Sequence, residues 1–327
     1  MLYGFTLAII AGFLLTAVVN WTGSAPIRQR HLVALCLLWL AGRIVINIDL
    51  GLPFWAILVI ETSFIPVLLV SLAIPLIRAN NRRNFLILLR LLVLFACDIW
   101  FLKTGSKVPL YIALMMVLTM ISLIGGRVIP AFTINALRRT GIQATQTPQP
   151  IVDKAAVASL IAVTVCLIVA QGTVILTVCA GLSAIIHGTR MRHYHSLKTG
   201  SDPMLWILHI GYSWLVIGLL LLALTGVGVF TLPVVIHTLT VGCIGSMTLG
   251  MMVRVTLGHT GRPLVSSSLT TLAFLLMQAA VLIRVVGPII MPEQTTGWIV
   301  GSATLWSFCF VIYLFVCAPM LFKPRAD

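Results

Sequence analysis

Four histidines stand in or at the ends of long apolar stretches of this chain. An imidazole surrounded by hydrocarbon side chains must find a hydrogen-bond partner, a proton to relay or a metal. His237 sits in the run Leu232 to Leu264, and His259 follows 22 residues later, just past the apolar part. His187 occurs in SAIIHGTRMRHYH and His209 in PMLWILHIGYSW. Haem iron takes one or two imidazoles, and copper accepts imidazole together with soft sulfur, so either metal suits these residues. Met247, Met251 and Met252 follow His237, although flexible core packing is the simpler account of thioethers at that spacing. His193 and His195 form an HxH pair that an extended segment could use to chelate copper, but a solvated basic loop explains them more simply. His31 follows Arg28 and Arg30 and reads as interfacial.

The seven cysteines, Cys36, Cys97, Cys166, Cys179, Cys243, Cys309 and Cys317, all lie in apolar runs. An odd count without a CxxC pair argues against a disulfide framework or a zinc site and for packing as small apolar residues.

The elements that must position these groups are membrane spans. The chain of 327 residues is 60% hydrophobic and only 9% charged, far below the quarter-charged composition of soluble domains. Crossing about 30 Å of hydrocarbon takes about 20 apolar residues in a helix. Eleven such runs are present, near 2–20, 31–48, 54–77, 85–102, 108–128, 154–171, 173–191, 203–224, 232–254, 268–290 and 298–320. Long runs without alternation mean helices, because a helix satisfies its own backbone in lipid. The fold class is therefore all-α, a polytopic transmembrane helical bundle of about eleven spans.

Basic residues set its orientation, because Lys and Arg concentrate in cytoplasmic loops. Sixteen of the 21 fall on one face: Arg28, Arg30, Arg78, Arg82, Arg83, Arg127, Arg138, Arg139, Lys154, Arg190, Arg192, Lys198, Arg254, Arg262, Lys323 and Arg325. Lys103 and Lys107 fall on the other face, while Arg43, Arg90 and Arg284 fall within spans. The C-terminus is thus expected in the cytoplasm and Met1 outside. The net charge of +14 follows from this sidedness beside anionic lipid and gives no reason to invoke nucleic acid.

Topology sorts the histidines. His187 and His209 lie on helices adjacent in sequence, roughly 6 to 9 Å deep from the same cytoplasmic face at 1.5 Å per residue, as two ligands of one metal or haem would. His237 enters from the opposite face, so it belongs to a second site, while His259 joins the inner group. Charges inside spans are candidates too. Arg43, Glu61 and Asp98 all fall in the outer halves of their helices, where Arg43 and Glu61 are expected to neutralise each other. On the inner side Arg127, Arg254 and Arg262 cluster with His259. Forked guanidinium hydrogen bonds suit haem propionates, and anionic lipid serves equally for loop arginines.

The chain reads as one integral membrane domain, 1–327, with a candidate half boundary at the polar linker 138–153, RRTGIQATQTPQPIVD. No repeated motif relates the halves.

The segments MLYGFTLAIIAGFLLTAVVNWTG (1–23), LLWLAGR (37–43), GGRVIPAFTINALR (125–138), LWILHIGYSWL (205–215) and IHTLTVGCIGSMTLGMMVRVTLGHTGRPL (236–264) resemble those of the NnrS family, in order over most of the chain. The resemblance implies a bacterial inner-membrane protein that contains haem and copper and is linked to denitrification and to resistance against nitric oxide or nitrosative stress. Within it, His187, His209 and His237 with Arg127, Arg254 and Arg262 are the candidate cofactor-binding residues. His187, His209, His237 and His259 are the candidate metal ligands. The family pattern places a further apolar helix and a His-Glu pair ahead of the MLYGF-like start, so twelve spans are expected of a complete chain, with a histidine on the outer face as partner to His237. The competing reading is a secondary transporter of a small substrate, in which Arg43, Glu61 and Asp98 serve as substrate or proton-coupling groups.

Overall fold

The computed structural model describes residues 2–326 and is helical throughout, with no strand among the described residues. Met1, expected on the outer face, lies outside the described residues. Among the described residues eleven helices are long and apolar enough to cross a membrane, so the chain is a multi-pass membrane protein. They are α1 (Leu2–Thr22), α2 (Gln29–Asn47), α3 (Phe54–Arg78), α4 (Arg82–Thr104), α5 (Val108–Arg139), α6 (Pro150–Val169), α7 (Val174–Met191), α8 (Pro203–Thr225), α9 (Leu232–His259), α10 (Ser268–Ile290) and α11 (Pro292–Leu321). Two compact units divide the chain, Met1–Val117 and Leu118–Asp327, with the division inside α5.

In the first unit α3 packs on α1, α2 and α4. α3 is interrupted at Ser63, and the cause is local. Pro66 has no N–H to give the Thr62 carbonyl, so the ladder breaks one turn before the proline. The interruption follows directly after Glu61, which is 6% exposed.

In the second unit α6, α7 and α8 form successive antiparallel hairpins, α9 packs on α8, α10 and α11, and α10 pairs with α11. α9 is the most enclosed span of the chain, while α2 and α11 are the least. Its helix changes character after His237: Thr238–Gly245 winds as a π-helix before an α-helix resumes at Ser246. Such π segments sit often at functional sites.

Several helix limits differ from the sequence reading, among them α9, which runs on to His259, α11, which begins at Pro292, and the two that flank the polar linker. α5 does not stop near residue 128 but runs 32 residues to Arg139, and α6 begins at Pro150. The Gly-Gly-Arg-plus-Pro130 cluster looks like a stop, yet Ala131, Ala136 and Leu137 favour helix and carry α5 onward. The polar linker is correspondingly shorter than 138–153.

Candidate functional site

The second unit contains a polar seam built on α7, α8 and the start of its share of α5. His187 projects from α7 and is fully buried. Its Nδ1 lies 2.8 Å from the Ser183 carbonyl and its Nε2 lies 3.0 Å from Ser122 Oγ. A carbonyl only accepts, so the neutral ring carries its proton on Nδ1 and presents the Nε2 lone pair to the Ser122 hydroxyl.

One turn further along α7, Arg190 is 2% exposed and organises the seam. Its Nε donates to Asp153 Oδ1 at 2.7 Å, and Nη2 reaches the same oxygen at 2.7 Å. Its Nη1 donates to the Ser122 carbonyl at 2.6 Å, to Ser122 Oγ at 3.3 Å and to Tyr212 Oη at 3.1 Å. Gly126 makes room for this group, since a Cβ there would overlap the Arg190 guanidinium. Gln149 Nε2 donates to the Arg190 carbonyl at 3.0 Å, satisfying one of the free acceptors at the end of α7.

His209, on α8 and 4% exposed, is held by two hydroxyls. Thr133 donates to the Ile129 carbonyl at 2.9 Å, which leaves its oxygen to accept from His209 Nε2 at 2.8 Å. Nδ1 is then the acceptor for Ser196 Oγ at 2.9 Å. The two imidazoles are linked through tyrosines. His187 stacks near Tyr212 with centroids 6.1 Å apart, Tyr212 meets Tyr194 edge-on at 5.8 Å, and Tyr194 meets His209 edge-on at 6.4 Å. Tyr194 lies in the loop between α7 and α8 and is 2% exposed; burial pushes its phenol well above the ordinary tyrosine value.

His237 has a different partner. Arg284 of α10 donates from Nη2 to His237 Nε2 at 2.8 Å, so the imidazole proton sits on Nδ1. Arg284 was counted only as a charge within a span by the sequence reading. Its signal was legible, because residues five past Leu232 and six before Ile290 on antiparallel helices have similar depth.

The remaining candidates are dispersed. Arg254 is 7% exposed and stacks over the Phe132 ring at 3.8 Å, a cation–π contact within the unit. Arg262 donates to the Thr260 carbonyl at 3.2 Å. Arg127 and His259 are exposed, His259 at the last residue of α9. Among the described residues no group of three or more His, Cys, Asp or Glu converges as a metal site would. Asp153, Ser122, Tyr212 and Arg190 were missed by the sequence reading, although a serine one turn of α5 from the Gly125–Gly126 pair hints at close approach. Two cysteines do meet: Cys166 and Cys179 Sγ stand 3.5 Å apart on the α6–α7 hairpin.

In the first unit the Arg43–Glu61 pair expected from sequence is present. Gly42 lets the carboxylate approach α2, since a Cβ there would lie 2.7 Å from Glu61 Oε2. Asp98 is 3% exposed, and Trp39 Nε1 donates to the Gly4 carbonyl at 3.0 Å in the π-helical start of α1.

The NnrS protein family model matches residues 1–325. The chain belongs to the NnrS family. No curated protein and no solved structure matched it. Of the two groups that the NnrS resemblance implies, haem finds a matching imidazole orientation at His187, which keeps Nδ1–H on a backbone carbonyl and turns Nε2 to a hydroxyl. For copper, the described residues of this NnrS chain offer single imidazoles, each with its own partners, and no assembled donor set.

Proposed function

We propose that this NnrS-family chain is a haem-binding protein of the bacterial inner membrane that acts in protection against nitric oxide or nitrosative stress. The observation that carries the reading is His187, a fully buried imidazole whose Nδ1 is committed to Ser183 and whose Nε2 meets only a hydroxyl. Haem bound there would supply an iron with affinity for nitric oxide. The chain's own part is to hold the ring in one tautomer, to keep Ser122 beside it through Arg190, and to exclude water with Tyr212 and Tyr194. His209 is the second inner ligand candidate, with Ser196 as the hydroxyl to be displaced from Nδ1. His237, paired with Arg284, belongs to a separate outer site.

Protein purified in detergent after haem-replete expression is expected to show a Soret band that shifts on adding nitric oxide. His187→Ala should remove the band, and His237→Ala should leave it while changing a different cofactor fraction. Colourless, metal-free protein would defeat the reading and favour transport through the buried Arg43, Glu61 and Asp98. Equal losses from His187→Ala and His237→Ala would defeat the two-site arrangement.

A further inference from the structure

A groove of about 880 Å³ opens in the first unit, at the upper end of the size of ligand sites. Its floor is Leu15, Val18 and Val19 of α1, and one wall is Pro66, Val67, Val70 and Ile74 of α3. Val67, Val70 and Ile74 are exposed. The mouth is polar and basic: Thr22, Ser24, Arg28 and His31 from the α1–α2 turn, with Arg78 at the end of α3. Arg28, His31 and Arg78 are all exposed, and none of the three makes an ion pair among the described residues.

The dimensions of the groove select an occupant. From Pro66 to Arg78 along α3 a rise of 1.5 Å per residue gives roughly 18 Å, and α1 lines the groove from Leu15 to its end at Thr22. One leaflet of hydrocarbon is about 15 Å deep. The apolar part, Pro66 to Pro75, covers about 14 Å of that, close to the hydrocarbon depth of one leaflet, and the basic mouth falls where a phosphate of the same leaflet stands. The mouth residues belong to the face that carries most of the chain's Lys and Arg, the leaflet where anionic lipids and basic pockets between helices meet. Pro66 and Pro75 stand on the α3 wall, and α2, whose start supplies His31, is among the least enclosed spans. Hydrophobic length alone would accept any phospholipid, so the charge at the mouth decides the class.

We propose that this groove is a binding site for one anionic phospholipid, its acyl chain lying along α1 and α3 and its phosphate held by Arg28 and Arg78, with His31 beside them. A free phosphate would satisfy the mouth but leave the apolar floor uncovered, and a zwitterionic lipid would set a choline or ethanolamine cation against two guanidiniums.

The test uses the whole protein in detergent, exposed to mixed micelles of phosphatidylglycerol and phosphatidylcholine of matched acyl chains, with retained lipid measured by native mass spectrometry. The protein is expected to retain phosphatidylglycerol several-fold over phosphatidylcholine. Arg28→Gln with Arg78→Gln should bring that preference to near equality. Removing the same charge elsewhere on the face, by Arg139→Gln with Lys323→Gln, should leave it intact. Val70→Trp, which fills the groove and keeps the charges, should lower retention of both lipids. An unchanged preference in the Arg28/Arg78 variant, or an equal loss in the Arg139/Lys323 variant, would overturn the site. So would displacement of the lipid by inorganic phosphate alone.

Discussion

Both units pair an arginine with a carboxylate beside a glycine, yet the second buries the arginine and the first the carboxylate. In the second unit Arg190 uses all three nitrogens on Asp153, Ser122 and Tyr212. Its carboxylate partner has a side chain 46% exposed, so water shares that charge. In the first unit Glu61 is 4% exposed at its side chain. Arg43 and Glu61 pair, but Arg43 Nε and Glu61 Oε2 have no hydrogen-bond partner. Isolated charges and unpaired polar atoms are both costly away from water. The Arg190 network therefore reads as a device that fixes the shape of its unit and the His187 ring within it. The Arg43–Glu61 pair reads as two groups that need each other.

The strongest way to break this contrast is Arg190→Met. It removes the charged donor that Tyr212, Ser122 and Asp153 share, and a loss of about 2–4 kcal/mol is expected, read as a fall in the thermal midpoint in detergent and loss of folded protein. A change within 1 kcal/mol would mean the network is ornamental. Next comes a paired test in the first unit. Arg43→Met alone strands the Glu61 carboxylate and should cost about 3 kcal/mol. Adding Glu61→Leu should recover that loss and leave the double variant neutral or stabilised by about 1–4 kcal/mol, as when apolar packing replaces a buried ion pair. A double variant no better than the single one would show that the pair acts through more than mutual neutralisation.

Gly126→Ala sharpens the comparison at smaller scale. Its Cβ meets the Arg190 guanidinium, a group that the network prevents from moving away, so a loss of about 1–3 kcal/mol is expected. Urea-dependent unfolding followed by tryptophan fluorescence would measure it. The smallest effect is Asp153→Asn, at most about 1 kcal/mol, because water already screens that carboxylate. A loss as large as that of Arg190→Met would place the strength of the seam in the ion pair and not in the buried hydrogen bonds.

The tyrosine of the seam adds a pH test. Burial raises the Tyr194 phenol in the folded state, so its contribution to stability is complete below the unfolded value of about 10 and is lost as pH rises toward the folded one. Tyr194→Phe should flatten the alkaline arm of the thermal-midpoint profile. An identical arm in both proteins would remove Tyr194 from the account.

The sequence by itself determined the number of spans, their helical class and the concentration of basic residues in alternate loops. Those follow from local quantities: the hydrocarbon thickness sets the length of each run, and each helix satisfies its own backbone. The Arg43–Glu61 pair was legible for the same reason, since two opposite charges at equal depth on adjacent helices leave few other choices. What tertiary structure decided was the partner of each imidazole. Depth along a helix can be counted, but rotation about its axis depends on every neighbour that packs against it. Only packing shows that His187 faces Ser122, that His209 faces Thr133 and Ser196, that two tyrosines link these rings, and that Arg284 meets His237. Arg190 makes the point most clearly: it counted as one more basic residue at a cytoplasmic helix end, and the fold turned it inward because Gly126 left it the space.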